Sequence, residues 1–218
     1  MKKRLFVLIF GCLLMWPLCG TAKDLSSDEI MDRIETRYDV AGIFVRFKQT
    51  TTLKALDITD SAEGRIYIKK PGRMRWEYDS PEKQSIITDG DMLWIYRPED
   101  NQVMIGKAAT FFGEGMGGVF LSDITAIRKH FKIELTGVTA AGDYELKLTP
   151  VKASGSIQTV FITVSKDSFN LMEVVTVNGY DDETHLTFED PKFDQDLPDS
   201  FFEFSPSEGM EVLSLDEQ

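Results

Sequence analysis

The spacing of apolar residues along the chain changes from a helical to a strand period at Gly42. Before that point, Ser26 and Glu29 have the spacing of a capping box, which predicts the start of a helix. Its apolar side chains recur at helical spacing and form one stripe: Ile30, Met31, Ile34 and Tyr38. After Gly42, most segments alternate apolar and polar residues with a period of two, which is typical of half-buried strands.

This alternation predicts about eleven strands, of which the first two are residues 44–49 and 64–69 with a polar loop between them. The last is a short strand around residues 202–204. The dipeptide Asp89-Gly90 stands between the apolar segments 84–88 and 92–96. Asp-Gly between apolar segments is the strongest short-range signal for a hairpin, so we expect these two strands to pair directly.

A second helix is predicted after Asp123, whose side chain can cap it, because Ile124, Ile127 and Phe131 recur at helical spacing. No helix recurs between successive strands, which favours an α+β fold with an antiparallel meander over a parallel α/β fold. Neighbouring strands twist relative to one another, so a single sheet of this size has to curl and one face becomes concave. Short helices then cover that face or leave a cavity beneath them.

The segment from residue 107 to residue 121 breaks the strand pattern because aromatic side chains surround four glycines within residues 113–118. A segment that is both apolar and rich in glycine suits a lid that opens while it remains attached to an apolar surface. An ordinary helix followed by a loose loop is the alternative. The predicted lid side chains are Phe111, Phe112, Met116, Phe120 and Leu121.

The first 22 residues have the layout of a secretory signal peptide, with basic residues at 2–4 followed by an apolar run. The run is too short for a membrane span of roughly 20 residues. Gly20 and Ala22 suit cleavage before Lys23. We therefore predict a mature chain of residues 23–218 that is exported to the periplasm and forms a single domain.

Cleavage before Lys23 would remove Cys12 and Cys19, so the mature chain would have no disulfide, thiolate or cysteine ligand. The alternative is a lipoprotein signal, in which an acylated cysteine tethers the chain to a membrane. Neither cysteine fits this pattern well, because Cys19 lacks a small residue before it and Cys12 follows only a short apolar run.

The charge of the chain argues against some classes of partner. The full chain has 24 Lys and Arg residues against 36 Asp and Glu residues, a net charge of −12. Without the three basic residues at 2–4 the balance is 21 against 36, a net charge of −15. Such an acidic surface disfavours nucleic acid and anionic lipid headgroups as ligands.

Motifs for catalysis are lacking. There is no Gly-x-Ser-x-Gly elbow, and His130 and His185 have no recognisable nucleophile context, which favours surface positions for both. Residues 181–183 are typical of a turn, and residues 194–196 are not followed by the glycine of a calcium loop. Carboxylate pairs for glycoside hydrolysis depend on distance in space, so the sequence leaves them open. We expect a protein that is not an enzyme and that has no metal site.

Three segments carry a resemblance to a known family: GRIYIKKPGRMRWEY at residues 64–78, SIITDG at residues 85–90 and LWIY at residues 93–96. With them, the chain resembles the LolA family of periplasmic outer-membrane lipoprotein carriers. The ending, FEFSP from residue 202 and GMEV from residue 209, is similar to the closing segment of that family. The resemblance implies an unclosed antiparallel β-barrel with short helices that form a lid over an apolar cavity, and no cofactor.

The resemblance also implies a role and its partners. A carrier of this family accepts acylated lipoproteins from an inner-membrane ABC lipoprotein-release transporter and passes them to an outer-membrane lipoprotein receptor. We expect a monomer that does not bind nucleic acid. The alternatives are a lipid- or lipoprotein-binding sensor or a membrane-tethered receptor of the same fold, and, from another class, a periplasmic hydrolase that acts on lipid.

The candidate lipid-binding residues lie in the segment that carries the resemblance. Alternation in residues 73–78 puts Met74, Trp76 and Tyr78 on one face of a strand. An apolar strand face is most often plain core, and the resemblance gives an acyl-binding cavity equal weight. The predicted lining, which includes two residues of the first helix, is Ile66, Ile68, Met74, Trp76, Tyr78, Ile30 and Ile34.

Lys70 is the predicted lid latch. The family usually has an arginine before the proline, where it holds the lid, and an aromatic residue two positions before the tryptophan; this chain has Lys70 and Met74 there. Alternation places Lys70 on the side of Ile66 and Ile68, so we predict that its ammonium holds the lid through backbone carbonyls. Lysine lacks the planar fork of arginine, which makes the latch less directional. The alternative for Lys70 and its basic neighbours is a set of charges that keeps an edge strand soluble.

Overall fold

The computed structural model of the protein describes residues 25–109, 124–152 and 157–215. The first helix, α1, spans Ser27–Arg37 and begins as predicted with a capping box. Ser26 Oγ accepts a hydrogen bond from Glu29 N at 3.2 Å, and the Glu29 carboxylate accepts one from Ser26 N at 2.8 Å. The predicted signal peptide, the predicted lid side chains from Phe111 to Leu121, and Asp123 lie outside the described residues.

The described strands form one sheet of twelve, close to the predicted number. They are β1 (Gly42–Leu53), β2 (Ile58–Lys69), β3 (Arg73–Ser80), β4 (Gln84–Thr88), β5 (Met92–Arg97), β6 (Gln102–Lys107), β7 (Phe131–Val138), β8 (Tyr144–Pro150), β9 (Thr159–Val164), β10 (Leu171–Val177), β11 (Glu183–Phe193) and β12 (Glu211–Ser214). A second helix, α2, spans Ile124–His130.

The sheet is unclosed, with the order β12-β6-β5-β4-β3-β2-β1-β11-β10-β9-β8-β7. It consists of two antiparallel meanders, β1 to β6 and β7 to β11, that join where β11 pairs with β1. The predicted hairpin is present, since β4 and β5 pair antiparallel across Asp89-Gly90. The predicted α+β class and the unclosed antiparallel sheet are therefore confirmed.

The first hairpin is longer than the predicted strands. A polar loop was expected between residues 49 and 64, but β1 and β2 stay paired as far as Leu53 and Ile58. The additional paired segment is rich in threonine, and the hydroxyls of Thr52 and Thr59 lie 3.3 Å apart across the two strands. β-Branched residues suit strands even where they are exposed, which a search for apolar alternation does not detect.

The predicted last strand around residues 202–204 is wrong. Asp199–Phe202 forms a 3-10 helix instead, and Phe202 is fully buried. The last strand is β12, which pairs parallel to β6 and thereby occupies one edge of the sheet. The helix α2 also ends one residue earlier than the apolar spacing suggests, because Phe131 is the first residue of β7.

Most buried apolar residues of both meanders belong to one cluster, and the sheet curls around it, whereas Ile87, Val103 and Phe202 are buried outside that cluster. We call the side of the sheet that carries Ile66, Ile68, Met74 and Trp76 the inner face. Gly64 permits close packing there, since a Cβ on it would lie 1.9 Å from Glu77 O and 2.9 Å from a ring carbon of Phe47. In the described ranges, neither helix is long and apolar enough to cross a membrane.

Candidate functional site: the inner face of the sheet

Neighbouring strands bring the predicted lining residues together. In the β2–β3 register Ile66 pairs with Trp76 and Ile68 pairs with Met74, so the four side chains lie side by side on the inner face. Each is at most 5% exposed. Ile30 and Ile34 of α1 are buried in the same cluster, and Tyr78 packs against it. The structure thus groups all seven predicted residues at one apolar surface.

Aromatic rings form one end of this surface. The ring of Phe47 contacts Trp76 and Tyr78 edge to face, with centroids 5.0 and 5.2 Å apart. Tyr78 donates a hydrogen bond to Gln49 Oε1 at 3.1 Å, and the Gln49 amide donates to Thr51 at 3.2 Å. Burial raises the pKa of the Tyr78 phenol to about 12. Polar groups therefore begin next to Trp76 and continue along β1.

The C-terminal end of α1 is tied to the second meander. The buried phenol oxygen of Tyr38 accepts a hydrogen bond from Leu171 N at 3.0 Å. Burial raises the pKa of Tyr38 to about 12, although the Leu171 N–H and the charge of Arg37 act in the opposite direction. Arg37 lies over the ring of Phe193 at 3.6 Å and donates to Asn170 Oδ1 at 2.9 Å. These contacts hold the helix against β10 and β11.

The middle of α1 is tied to α2 by one arginine. Arg128 donates a hydrogen bond of 2.7 Å to Glu35 and also pairs with Asp32 and Asp28. The three carboxylates lie on one side of α1 because residues three and four apart share a helix face. The sequence contained this acidic stripe, but nothing in it identified Arg128, about a hundred residues away, as its partner.

The predicted latch, Lys70, has a different partner in the described ranges. Its ammonium lies 3.0 Å from the carboxylate of Asp39, just after α1, and its side chain is 41% exposed. Because β2 ends at Lys69, the alternation used to place Lys70 beside Ile68 does not extend to it. The predicted contact with lid carbonyls involves residues outside the described ranges, so it stays a prediction.

Described residues flank the predicted lid side chains on both sides. Ala108, just after β6, and Ile124, at the start of α2, are both buried in the apolar cluster of the inner face. The lid side chains themselves, Phe111, Phe112, Met116, Phe120 and Leu121, lie outside the described residues. Ala108 and Ile124, which flank the predicted lid side chains, therefore lie in the same apolar cluster.

The basic residues of β2 and β3 hold the C-terminal segment on the opposite, outer face. Lys69 donates to Leu197 O at 2.6 Å and pairs with Asp199, whose pKa this hydrogen bond lowers. Arg75 donates to Phe201 O at 3.1 Å and lies over its ring. These cations thus have structural partners, and the interpretation that they only keep an edge soluble does not describe them.

The histidines do not form a reactive group with their described neighbours. His130 is exposed. His185 lies between Glu173, 3.1 Å from Nδ1, and Glu183, 3.4 Å from Nε2, so the two carboxylates face opposite sides of the ring. Within residues 25–109, 124–152 and 157–215, no three His, Cys, Asp or Glu side chains are placed to hold a metal ion.

An unclosed antiparallel sheet that curls around an apolar cluster beneath short helices defines an open-barrel protein of the α+β class. The family model described as outer membrane lipoprotein carrier protein LolA matches residues 39–205. The chain therefore belongs to the LolA family of outer-membrane lipoprotein carrier proteins.

Individual relatives agree with this assignment. The chain is similar to the outer-membrane lipoprotein carrier protein of Nitrosomonas europaea, with 27% identity over 215 residues, 98% of this chain and 99% of the relative. It is 30% identical to the protein of the same name from Neisseria meningitidis serogroup C over 176 residues, 81% and 82% of the two chains. An uncharacterized conserved protein from Thermus thermophilus shares the fold, with a TM-score of 0.57, 15% identity and coverage of 86% and 98%.

Proposed function

We propose that the protein is a periplasmic carrier that binds the acyl chains of lipoproteins released from the inner membrane and delivers them to an outer-membrane receptor. The observation that carries the proposal is the apolar inner face, where Ile66, Ile68, Met74 and Trp76 share one cluster with the stripe of α1. Each CH₂ group that such a surface removes from water contributes about 0.8 kcal/mol. Binding then needs neither a cofactor nor catalysis.

Loading requires the inner face to open, because its lining residues are buried. Polar contacts hold α1 in place: the Tyr38–Leu171 hydrogen bond at one end and the Arg128 cluster along its exposed side. Acyl chains and the apolar stripe of α1 compete for the same surface. Bound cargo is then displaced when α1 and the lid segment return to it.

The first 22 residues are proposed to be a cleaved signal peptide, which would place residues 23–218 in the periplasm. An ABC lipoprotein-release transporter in the inner membrane and a lipoprotein receptor in the outer membrane are the proposed partners. The LolA family assignment and the names of the relatives, outer-membrane lipoprotein carrier protein, support this role.

A two-step transfer assay tests the proposal. Purified protein is added to inner-membrane vesicles that contain a lipoprotein and the release transporter with ATP, and the soluble fraction is then mixed with outer membranes. We expect the lipoprotein first in a soluble complex with the protein and then in the outer membrane. A lipoprotein that stays in the vesicles would contradict the proposal. An intact mass that includes a diacyl group on Cys12 or Cys19 would favour the tethered receptor, and turnover of acyl esters would favour the hydrolase.

A further inference from the structure

The indole nitrogen of Trp76 is a buried hydrogen-bond donor without an acceptor among the described residues. The side chain is 5% exposed and packs between Phe47 and Tyr78 on the inner face. Its Nε1 is buried and has no hydrogen-bond partner in the described ranges. A buried tryptophan N–H usually has a partner, because a buried donor without a hydrogen bond destabilises the folded protein. The protein retains this unsatisfied donor within its proposed binding surface.

Nearby polar side chains, unlike that of Trp76, have hydrogen-bond or ion-pair partners. Tyr78, two residues later on the same strand face, satisfies its phenol with Gln49. Within the described ranges, the other buried unpartnered side-chain nitrogen is Nε of Arg65. That guanidinium is 42% exposed as a side chain and pairs with Asp79 and Glu77 through another nitrogen. Of the residues that the structure describes, Trp76 alone places an unused donor inside the apolar cluster.

The surface is apolar on one side of Trp76 and polar on the other. On one side lie Ile66, Ile68 and Met74, toward the end of β2, where Lys70 pairs with Asp39 just after α1. On the other side the hydrogen-bonded series Tyr78, Gln49 and Thr51 follows β1 toward the tip of the first hairpin. Trp76 therefore stands at the boundary between an apolar compartment and a polar edge.

We propose that the Trp76 indole N–H donates a hydrogen bond to the acyl carbonyl at the head of a bound chain. The hydrocarbon tail would then extend toward Met74, Ile68 and α1, and the polar part of the ligand would lie toward Tyr78 and Gln49. An ester or amide carbonyl is an acceptor that brings no charge into the cluster, so it satisfies the donor without the cost of burying an ion. This inference rests on the proposed carrier function and specifies the orientation of the cargo.

Matched lipids test the hydrogen bond. The probes are a diacylglyceryl-cysteine lipopeptide and its dialkyl ether counterpart, which has the same chains but no ester carbonyl. We expect the wild-type protein to bind the ester about three- to tenfold more tightly than the ether, as one net hydrogen bond allows. The Trp76→Phe variant should bind both equally. The ratio of the two affinities is unaffected by any general loss of packing in the variant.

Trp94 supplies the matched control. It lies on β5 between the buried inner-face residues Leu93 and Ile95, so its own side chain faces outward. Trp94→Phe should keep the wild-type preference for the ester. NMR gives a second measurement, because the indole N–H signal of Trp76 is the one that disappears in Trp76→Phe. In the wild-type protein this signal should shift when the ester lipid binds, and it should shift less when the ether lipid binds.

The outcomes separate the two proposals. Binding of both lipids with equal affinity to the wild-type protein, or an ester preference that survives in Trp76→Phe, would overturn the hydrogen bond and leave the carrier function intact. Binding of neither lipid would overturn the carrier function itself. A diester and a diether glycerophospholipid are compared in the same way. An ester preference with both lipid classes supports the hydrogen bond for acyl carbonyls in general, and a preference with the lipopeptide alone supports it for lipoproteins.

Discussion

The phenol oxygen of Tyr38, one residue beyond α1, accepts a hydrogen bond of 3.0 Å from the buried backbone N–H of Leu171 at the start of β10. This bond joins α1, which covers the inner face, to the second meander, β7 to β11. If the inner face opens for loading as proposed, this bond breaks when α1 leaves the apolar surface and forms again when α1 returns. The strength of the bond would then affect both the stability of the protein and access to its interior.

Tyr38→Phe should destabilise the protein, because it removes the acceptor of the Leu171 N–H and leaves that donor buried. We expect the free energy of unfolding to fall by about 1–3 kcal/mol, measured by urea unfolding. Tyr180→Phe is the control, since Tyr180 is 79% exposed. Equal stability of Tyr38→Phe and the wild-type protein would show that the contact does not hold α1.

Alkaline pH should unfold the protein through its two buried phenols. Burial raises the pKa of Tyr38 and of Tyr78 to about 12, above the usual value of about 10. Their contribution to stability is fully present below pH 10 and is lost as pH rises through 12, because only the unfolded chain ionises readily in that window. Ultraviolet titration should show a late tyrosine ionisation whose amplitude falls in Tyr38→Phe and in Tyr78→Phe. Ionisation of both phenols near pH 10 in the folded protein would contradict the burial.

Arg128→Leu should release α1 from α2, because it removes the cation that pairs with Glu35, Asp32 and Asp28. We expect faster amide hydrogen exchange in α1 and faster uptake of a fluorescent acyl probe, with the sheet unchanged. Lys129→Leu removes an equal charge from an exposed neighbour on the same helix and is the matched control. The same acceleration in both variants would indicate a general effect of charge.

Lys70→Leu should give a carrier that loads but releases its cargo poorly, if the ammonium holds the lid through backbone carbonyls as predicted. The measured quantity is the cargo retained on the soluble protein after it is mixed with outer membranes. Asp39→Asn separates two explanations, because Asp39 is the partner of Lys70 among the described residues. Retention in Lys70→Leu alone supports the lid contact. Wild-type release in both variants would leave Lys70 as a surface charge, whose ion pair contributes little.

Local patterns in the sequence predicted much of the fold and few of the contacts between distant segments. The capping box of α1, the Asp89-Gly90 hairpin and the shared face of Met74 and Trp76 depend on residues a few positions apart. They were predictable because periodicity and turn chemistry act over that range. The open barrel was predicted from the resemblance to the LolA family and not from periodicity.

Long-range contacts escaped prediction for a physical reason. The parallel pairing of β12 with β6, the hydrogen bond from Arg75 to Phe201 O and the partnership of Arg128 with the acidic side of α1 each join residues about a hundred positions apart or more. No local pattern specifies which distant partner an apolar or charged side chain will have. Phe202 lay in an apolar alternation typical of a strand, but it ends a 3-10 helix whose residues Asp199 and Phe201 are held by the distant Lys69 and Arg75.

Native mass spectrometry of the protein purified from the periplasm tests the central claim, that the inner face binds acyl chains, most directly. The wild-type protein and Trp94→Glu, which changes the outer face, should carry added masses that fragment into acylated lipoprotein. Trp76→Glu, which buries a charge on the inner face, should lose them while circular dichroism still reports a folded sheet. A wild-type protein without bound acyl groups, or a folded Trp76→Glu variant that retains its cargo, would contradict the account.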